Sequence, residues 1–235
     1  MLLNPISVPE AAVVLGLSTA RVRAMAASGQ LLAEKIGGRW LLERNAVELR
    51  RTEGAVGGRR FTPRNAWALL RLASGEDVAD LAPSVRSRLK RALQLEGLMA
   101  LAPRLGARAE IHLFMAHPGE LAHVLEDPAL VATGVAVGGK VGILPSGGDV
   151  DGYLSSAGFP DFVERHALNP GVPPNVRLRV VPDTAWDQIG GRRTVPHAAM
   201  ALDFLDDPNP RLNQAGSESI EEIEREFRAA AKARS

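Results

Sequence analysis

Apolar residues recur at helical spacing in several stretches of the chain and at strand spacing in short runs between them. Residues 8–15, VPEAAVVL, put Ala11, Ala12 and Leu15 on one face, and that period predicts a helix. Ser7 precedes it with Glu10 three residues on, the spacing at which a hydroxyl and a carboxylate cap a helix reciprocally. Gly16 ends it. A second helix is expected from Ser18 or Thr19 to about Ser28, because Val22, Met25 and Ala26 repeat at i, i+3, i+4 and Gly29 suits a helix C-terminus. Arg21 and Arg23 fall off that apolar stripe. Two apolar runs follow, about 31–36 and 39–42, joined by Gly37-Gly38, the composition of a two-residue hairpin turn. A third helix is expected over about 45–52.

Helix, tight turn, helix, hairpin, helix is the order of a winged helix-turn-helix, assigned here to residues 1–52. The glycine-rich stretch 53–60, EGAVGGRR, reads as a linker. Beyond it helices are expected over about 63–73, 83–95, 118–126, 150–157, 160–167 and 196–206. Strands are expected over 110–115, in the glycine-punctuated stretch 129–144, and over 175–182, where Val176, Leu178 and Val180 alternate with arginines. The fold class predicted is α+β: an N-terminal winged helix-turn-helix followed by a larger mixed α/β domain over 61–216, closed by an amphipathic helix in 217–235.

Charge sharpens the division. The chain carries 28 Lys/Arg and 27 Asp/Glu; ten and five of these lie in residues 1–65, leaving 18 and 22 for the remainder. A basic first quarter on a mildly acidic body is the asymmetry of a protein that meets a polyanion with one end. There is no cysteine, so disulfides and thiolate metal sites are excluded. The N-terminal MLLNPISVPEAA lacks the features of a signal peptide, and no apolar run reaches the ~18–20 residues of a membrane span. A cytoplasmic location is expected.

Candidate chemistry follows the cations. A helix N-terminus set near the major groove lets its side chains reach base edges, and Ser18, Thr19 and Arg21 occupy that end with Arg23 close behind. Lys35 and Arg39 sit on the hairpin, and Arg44 follows it, placed for phosphates or the adjoining minor groove. A second basic helix carries Arg86, Arg88, Lys90 and Arg91. It either extends a phosphate footprint or presents one solvated face while Val85, Leu89 and Leu93 turn inward. No catalytic residue, metal or cofactor is expected. The histidines, His112, His117, His123, His166 and His197, lack zinc-ligand spacing and read as surface or capping residues. Residues 145–151, PSGGDVD, resemble part of a nucleotidyltransferase motif. Ser146 and Asp149 are too close for it, and the stretch reads as a turn with solvated carboxylates.

The stretch ISVPEAAVVLGLSTARVRAMAASGQLLAEKIGGRWLLERNAVELR resembles the excisionase/MerR class of winged helix-turn-helix, through Glu10-Ala11-Ala12, Leu15-Gly16, Ser18-Thr19, Val22-Arg23 and Ser28-Gly29. That resemblance implies a phosphate contact for Arg23, groove-facing positions for Thr19 and Arg21, and a wing position for Arg39. MerR regulators continue into a long dimerisation coiled coil, often with a metal-binding cysteine; this chain has neither. RRFTPRNAWALLRLASG, SVRSRLKRAL, NVRLRVVP and PHAAMALDFLDDPNPRLNQAG resemble, in that order, actinobacterial helix-turn-helix antitoxins, long VapB-like proteins and relatives of AbiEi. The second resemblance implies a protein that represses its own operon at promoter DNA and neutralises a cognate toxin, a PIN-domain ribonuclease or a nucleotidyltransferase. Because one small domain with few cations binds DNA weakly, a homodimer on two half-sites is expected. In the C-terminal helix Ile220, Ile223 and Phe227 share one side. They either pack on the body or dock on a partner, with Arg225 and Arg228 then reaching an acidic toxin site. A stand-alone regulator or excisionase-like factor without a toxin is the alternative, and a DNA-targeted nuclease or nucleotidyltransferase is a further one.

Overall fold

The structure is a computed structural model describing Leu2 and residues 4–54, 60–134 and 149–233. Its first elements are β1 (Pro5–Ser7), α1 (Val8–Leu15), α2 (Thr19–Ala27), the hairpin β2 (Ala33–Ile36) and β3 (Arg39–Glu43), and α3 (Arg44–Gly54). Each boundary has a local cause. The Ser7 hydroxyl accepts from the Glu10 amide while the Glu10 carboxylate accepts from the Ser7 amide at 2.8 Å. The Ser7 hydroxyl also donates to the Glu10 carboxylate at 2.7 Å, and that bond is the largest influence holding the Glu10 carboxyl below its ordinary value. Gly16 ends α1 at φ 65°, and Ser18 caps α2 through the Arg21 amide. Gly37 and Gly38 both have positive φ, 57° and 79°, as a tight hairpin turn needs at its two central positions. Sequence patterning missed β1, whose three residues pair with β3 and complete a sheet of order β1-β3-β2. Ile6, Ala11, Val22, Met25, Ala26, Leu42 and Val47 form one core beneath helices and sheet.

The remaining elements are α4 (Pro63–Ala73), α5 (Pro83–Glu96), α6 (Leu98–Leu101), a 3-10 turn over Ala102–Arg108 and β4 (Glu110–Phe114). Then come α7 (Leu121–Glu126), β5 (Val131–Ala132), β6 (Val150–Ser155), α8 (Phe159–Arg165), β7 (Val176–Val181), α9 (Asp183–Trp186), α10 (His197–Leu205) and α11 (Pro210–Ala233). The second sheet has the order β4-β7-β6-β5, with β6 and β7 parallel and the outer pairs antiparallel. Helices cover both faces. On one side α4, α5, α6, α9, α10 and α11 pack with Val131, Tyr153 and Val181; on the other, Val124 of α7 and Phe162 of α8 pack with Val150, Leu154, Val176 and Leu178.

Several expectations are corrected here. Residues 150–155 form a central strand and no helix; with neighbours on both edges and helices on both faces, VDGYLS has no wet side to alternate toward. The arginines of β7, which the alternation placed without a partner, are paired within the protein. Arg179 is 1% exposed and forms a two-point bond to Asp151 at 2.9 and 3.1 Å, while Arg177 bonds Asp207 at 3.0 Å. Asp151 is therefore a buried ion-pair partner and not a solvated carboxylate; Asp149 is exposed. Of the histidines, His112 and His166 are buried. The linker's residues 55–59 and the expected strand segment 135–144 lie outside the described residues.

The C-terminal helix starts at Pro210 and runs through the boundary drawn at 216–217. Gly216 permits this: a Cβ there would sit 2.8 Å from the Ala201 carbonyl oxygen, so α11 lies against α10 at a distance only glycine allows. Ile220 and Ile223 are buried in the body, and Phe227 packs beside them. Ile220 and Ile223 are thus covered by the body, the packing alternative of the two readings, with Phe227 partly buried beside them. Ile220→Ala is expected to cost about 2–5 kcal/mol, the range for truncating a fully buried aliphatic side chain, read as a lower urea midpoint at unchanged m-value.

His166 ties the ends of α7 to α8. Its ring lies 2.7 Å from Glu120 Oε1 and 3.0 Å from Asp127 Oδ2, and Arg165 also bonds Asp127. Burial alone would raise Asp127; the Ala129 amide, the His166 ring and Arg165 outweigh it and hold the carboxyl below its ordinary value. The His166 bond does the same for Glu120. Lowered folded-state values mean stabilisation that is complete above the unfolded carboxyl range and lost as pH falls from there through the lowered folded-state values. The stability gap between wild type and Asp127→Asn is therefore expected to be widest near pH 7 and to close in strong acid, measured by urea unfolding at several pH values.

Candidate nucleic-acid interface

The turn between α1 and α2 and the cap at Ser18 set the start of α2 at the protein surface. Val22, Met25 and Ala26 are buried, which fixes the rotation of the helix and turns Arg21 and Arg23 outward. Ser18 is exposed and Thr19 half-buried, at the end where unpaired backbone N–H groups and the helix dipole favour anions. Lys35 and Arg39 project from the hairpin on either side of the Gly37-Gly38 turn, and Lys35 lies 5.9 Å from the centre of the Trp40 ring. Arg44 is half-buried at the start of α3 within the field of Glu10. All seven cap, helix and hairpin positions singled out in the sequence therefore fall within one small unit.

Many of the body's arginines are paired internally, although among the described residues Arg88, Arg91 and Arg225 form no salt bridge. Arg64, Arg71, Arg104, Arg108, Arg165, Arg177, Arg179, Arg192 and Arg228 each have a carboxylate partner. Among the described residues, Arg21, Arg23, Lys35 and Arg39 form no salt bridge. Cations with no internal counter-charge are available to replace condensed counterions on a nucleic acid. On α5, Leu89 and Leu93 are buried and Val85 packs behind them, so Arg88 and Arg91 stand on the outer face. At the far end of the chain Arg225 is exposed and Arg228 is held by Glu224 at 2.7 Å.

One feature of the interface has no sequence signal. The turn after α2, Ser28 to Gln30, is hydrogen-bonded to β4, 80 to 84 residues away. No spacing or composition announces that contact; Gly29 alone was legible, as a helix terminator.

Comparison with known proteins bears on this unit. Residues 6–53 match the family described as a helix-turn-helix domain. Comparison with curated proteins and with solved structures returned no match. The N-terminal segment is thus a helix-turn-helix domain, the class whose second helix meets DNA, carried on a chain of mixed helix and strand. Among the described residues no helix is long and apolar enough to cross a membrane.

Proposed function

We propose that this chain is a non-enzymatic DNA-binding repressor, and that it is the antitoxin of a toxin–antitoxin pair. The observation that carries the DNA reading is the set of uncompensated cations at the start of α2 and on the hairpin of a helix-turn-helix domain. In this reading β2–β3 is a wing, Lys35 and Arg39 contact backbone or minor groove, and Thr19 and Arg21 face the major groove. One domain with so few cations binds weakly, so two copies acting on paired half-sites supply the affinity, joined through the larger body. The body binds the cognate toxin, a ribonuclease or nucleotidyltransferase. What supports that step is the resemblance of segments in residues 59–216 to antitoxins. The covered side of α11 leaves Arg225 and neighbouring exposed residues as its possible contribution.

Asp151, locked to Arg179, favours this reading over a DNA-targeted nuclease, because a metal-binding carboxylate has to be free. Co-expression with the adjacent gene is the test. A neighbour toxic alone, harmless beside this chain and co-purifying with it supports the antitoxin reading. A harmless, non-binding neighbour leaves a stand-alone regulator.

A further inference from the structure

We propose that β4 is the mount that sets the pitch of the DNA-reading helix, with His112 and Leu113 as positioning residues for base recognition. This rests on the DNA-binding reading of α2. Strand β4 is the outermost of its sheet, so one edge of its backbone faces away from β7. The turn that ends α2 occupies that edge. The Leu113 amide donates to the Gly29 carbonyl at 2.7 Å. The His112 ring lies with Nδ1 2.6 Å from the Ser28 carbonyl oxygen; a carbonyl only accepts, so Nδ1–H donates. Gln30 Nε2 donates to Glu110 Oε2 at 2.9 Å. Three successive residues of the turn are thus bonded to three residues of one strand.

The fit is close enough to dictate sequence. Gly29 has φ +77°, and a Cβ there would stand 2.7 Å from the Leu113 carbonyl oxygen. His112 is in turn fixed from behind by Phe159, ring centres 4.5 Å apart, and it is 4% exposed. The contact therefore joins two apolar cores through a short seat that is buried at Gly29 and His112 and open to solvent at the Gln30–Glu110 bond.

Its consequence lies at the other end of α2. The helix has nine residues, about 13 Å at 1.5 Å per residue, with the seat at its C-terminus and Ser18, Thr19 and Arg21 at its N-terminus. A tilt of about 10° at the seat moves the reading end by about 2 Å, which exceeds the tolerance of hydrogen bonds to base edges. Phosphate contacts from flexible arginine side chains absorb such a shift. The seat accordingly governs discrimination between sequences more than attraction to DNA.

The test compares full-length wild type with His112→Ala, His112→Asn and Gly29→Val. A duplex selected from a random-sequence pool by the wild type and a scrambled duplex of equal length are the probes. In wild type the Leu113 amide is expected to be protected from hydrogen exchange. In His112→Ala and Gly29→Val that protection falls, and the ratio of selected to scrambled affinity drops about tenfold or more, while scrambled affinity and its salt slope stay unchanged. His112→Asn, whose amide N–H replaces Nδ1–H, restores most of the ratio. Lost Leu113 protection with an unchanged ratio overturns the proposal, as does an unprotected Leu113 in wild type. A wild-type chain that binds neither duplex at low salt overturns the DNA-binding reading itself, and is told apart by that wild-type result.

Discussion

Arg23→Ala is expected to weaken binding to every duplex by a similar factor and to lower the salt slope, log K against log salt concentration, by about one. The side chain is exposed on α2, off the face packed by Val22, Met25 and Ala26. Among the described residues it has no salt bridge, so nothing inside the protein competes for its guanidinium. A phosphate contact carries charge and no sequence information, hence the uniform loss. Arg21, nearer the helix start, is expected to behave differently. Arg21→Ala removes a base-edge donor, costs about 1–3 kcal/mol on the preferred site and less elsewhere. Anisotropy titrations of preferred and scrambled duplexes at several salt concentrations separate the two. An unchanged slope for Arg23→Ala would place that residue away from the backbone.

Asp203→Ala is expected to be the most damaging single change in the body, about 3–5 kcal/mol. Asp203 on α10 accepts from the Thr133 hydroxyl at 2.6 Å, the Tyr153 hydroxyl at 2.8 Å and Arg108 at 3.0 Å, and it pairs with Arg179 at 3.1 Å. Thr133, Tyr153, Arg108 and Arg179 are all buried. Burial by itself pushes the Tyr153 hydroxyl well above its ordinary value, with Asp203 adding to it, so the phenol stays protonated and able to donate. Burial would release protons from Arg108 and Arg179; the surrounding acidic groups reverse that and hold both firmly charged. Removing the carboxylate takes one of two carboxylate partners from each buried guanidinium, leaving Arg179 with Asp151 and Arg108 with Asp206, and deprives two buried hydroxyls of their acceptor. Against a total stability of ~5–15 kcal/mol for an ordinary domain, such a loss takes away a large share of the folded population. A urea midpoint within error of wild type would show that Asp203 is dispensable to the core.

The legible parts of the chain were those whose causes are local. Ser7 with Glu10, Gly16, Ser18 and Gly37-Gly38 each force a cap or a turn through their own chemistry, and α1, α2 and the hairpin followed from them. The helix-turn-helix, with the outward positions of Arg21 and Arg23, was readable for the same reason. What failed depended on distant partners. Residues 150–155 look helical until β5 and β7 are placed on either side of them. Asp151 reads as a solvated carboxylate because the Arg179 that makes its burial tolerable stands 28 positions away in the sequence. The amphipathic side of α11 could not distinguish its own body from a partner, and the helices of the body bury Ile220 and Ile223. The seat of Ser28 and Gly29 on β4 had no sequence counterpart at all.

The central claim is that the start of α2 and the hairpin are the surface that meets DNA. Amide chemical-shift mapping of the full chain, titrated with its selected duplex, tests it most directly. The account predicts shifts concentrated at residues 18–23 and 35–44, with the buried face of α10 silent. Shifts confined to other surfaces, with α2 and the hairpin unmoved, would contradict it.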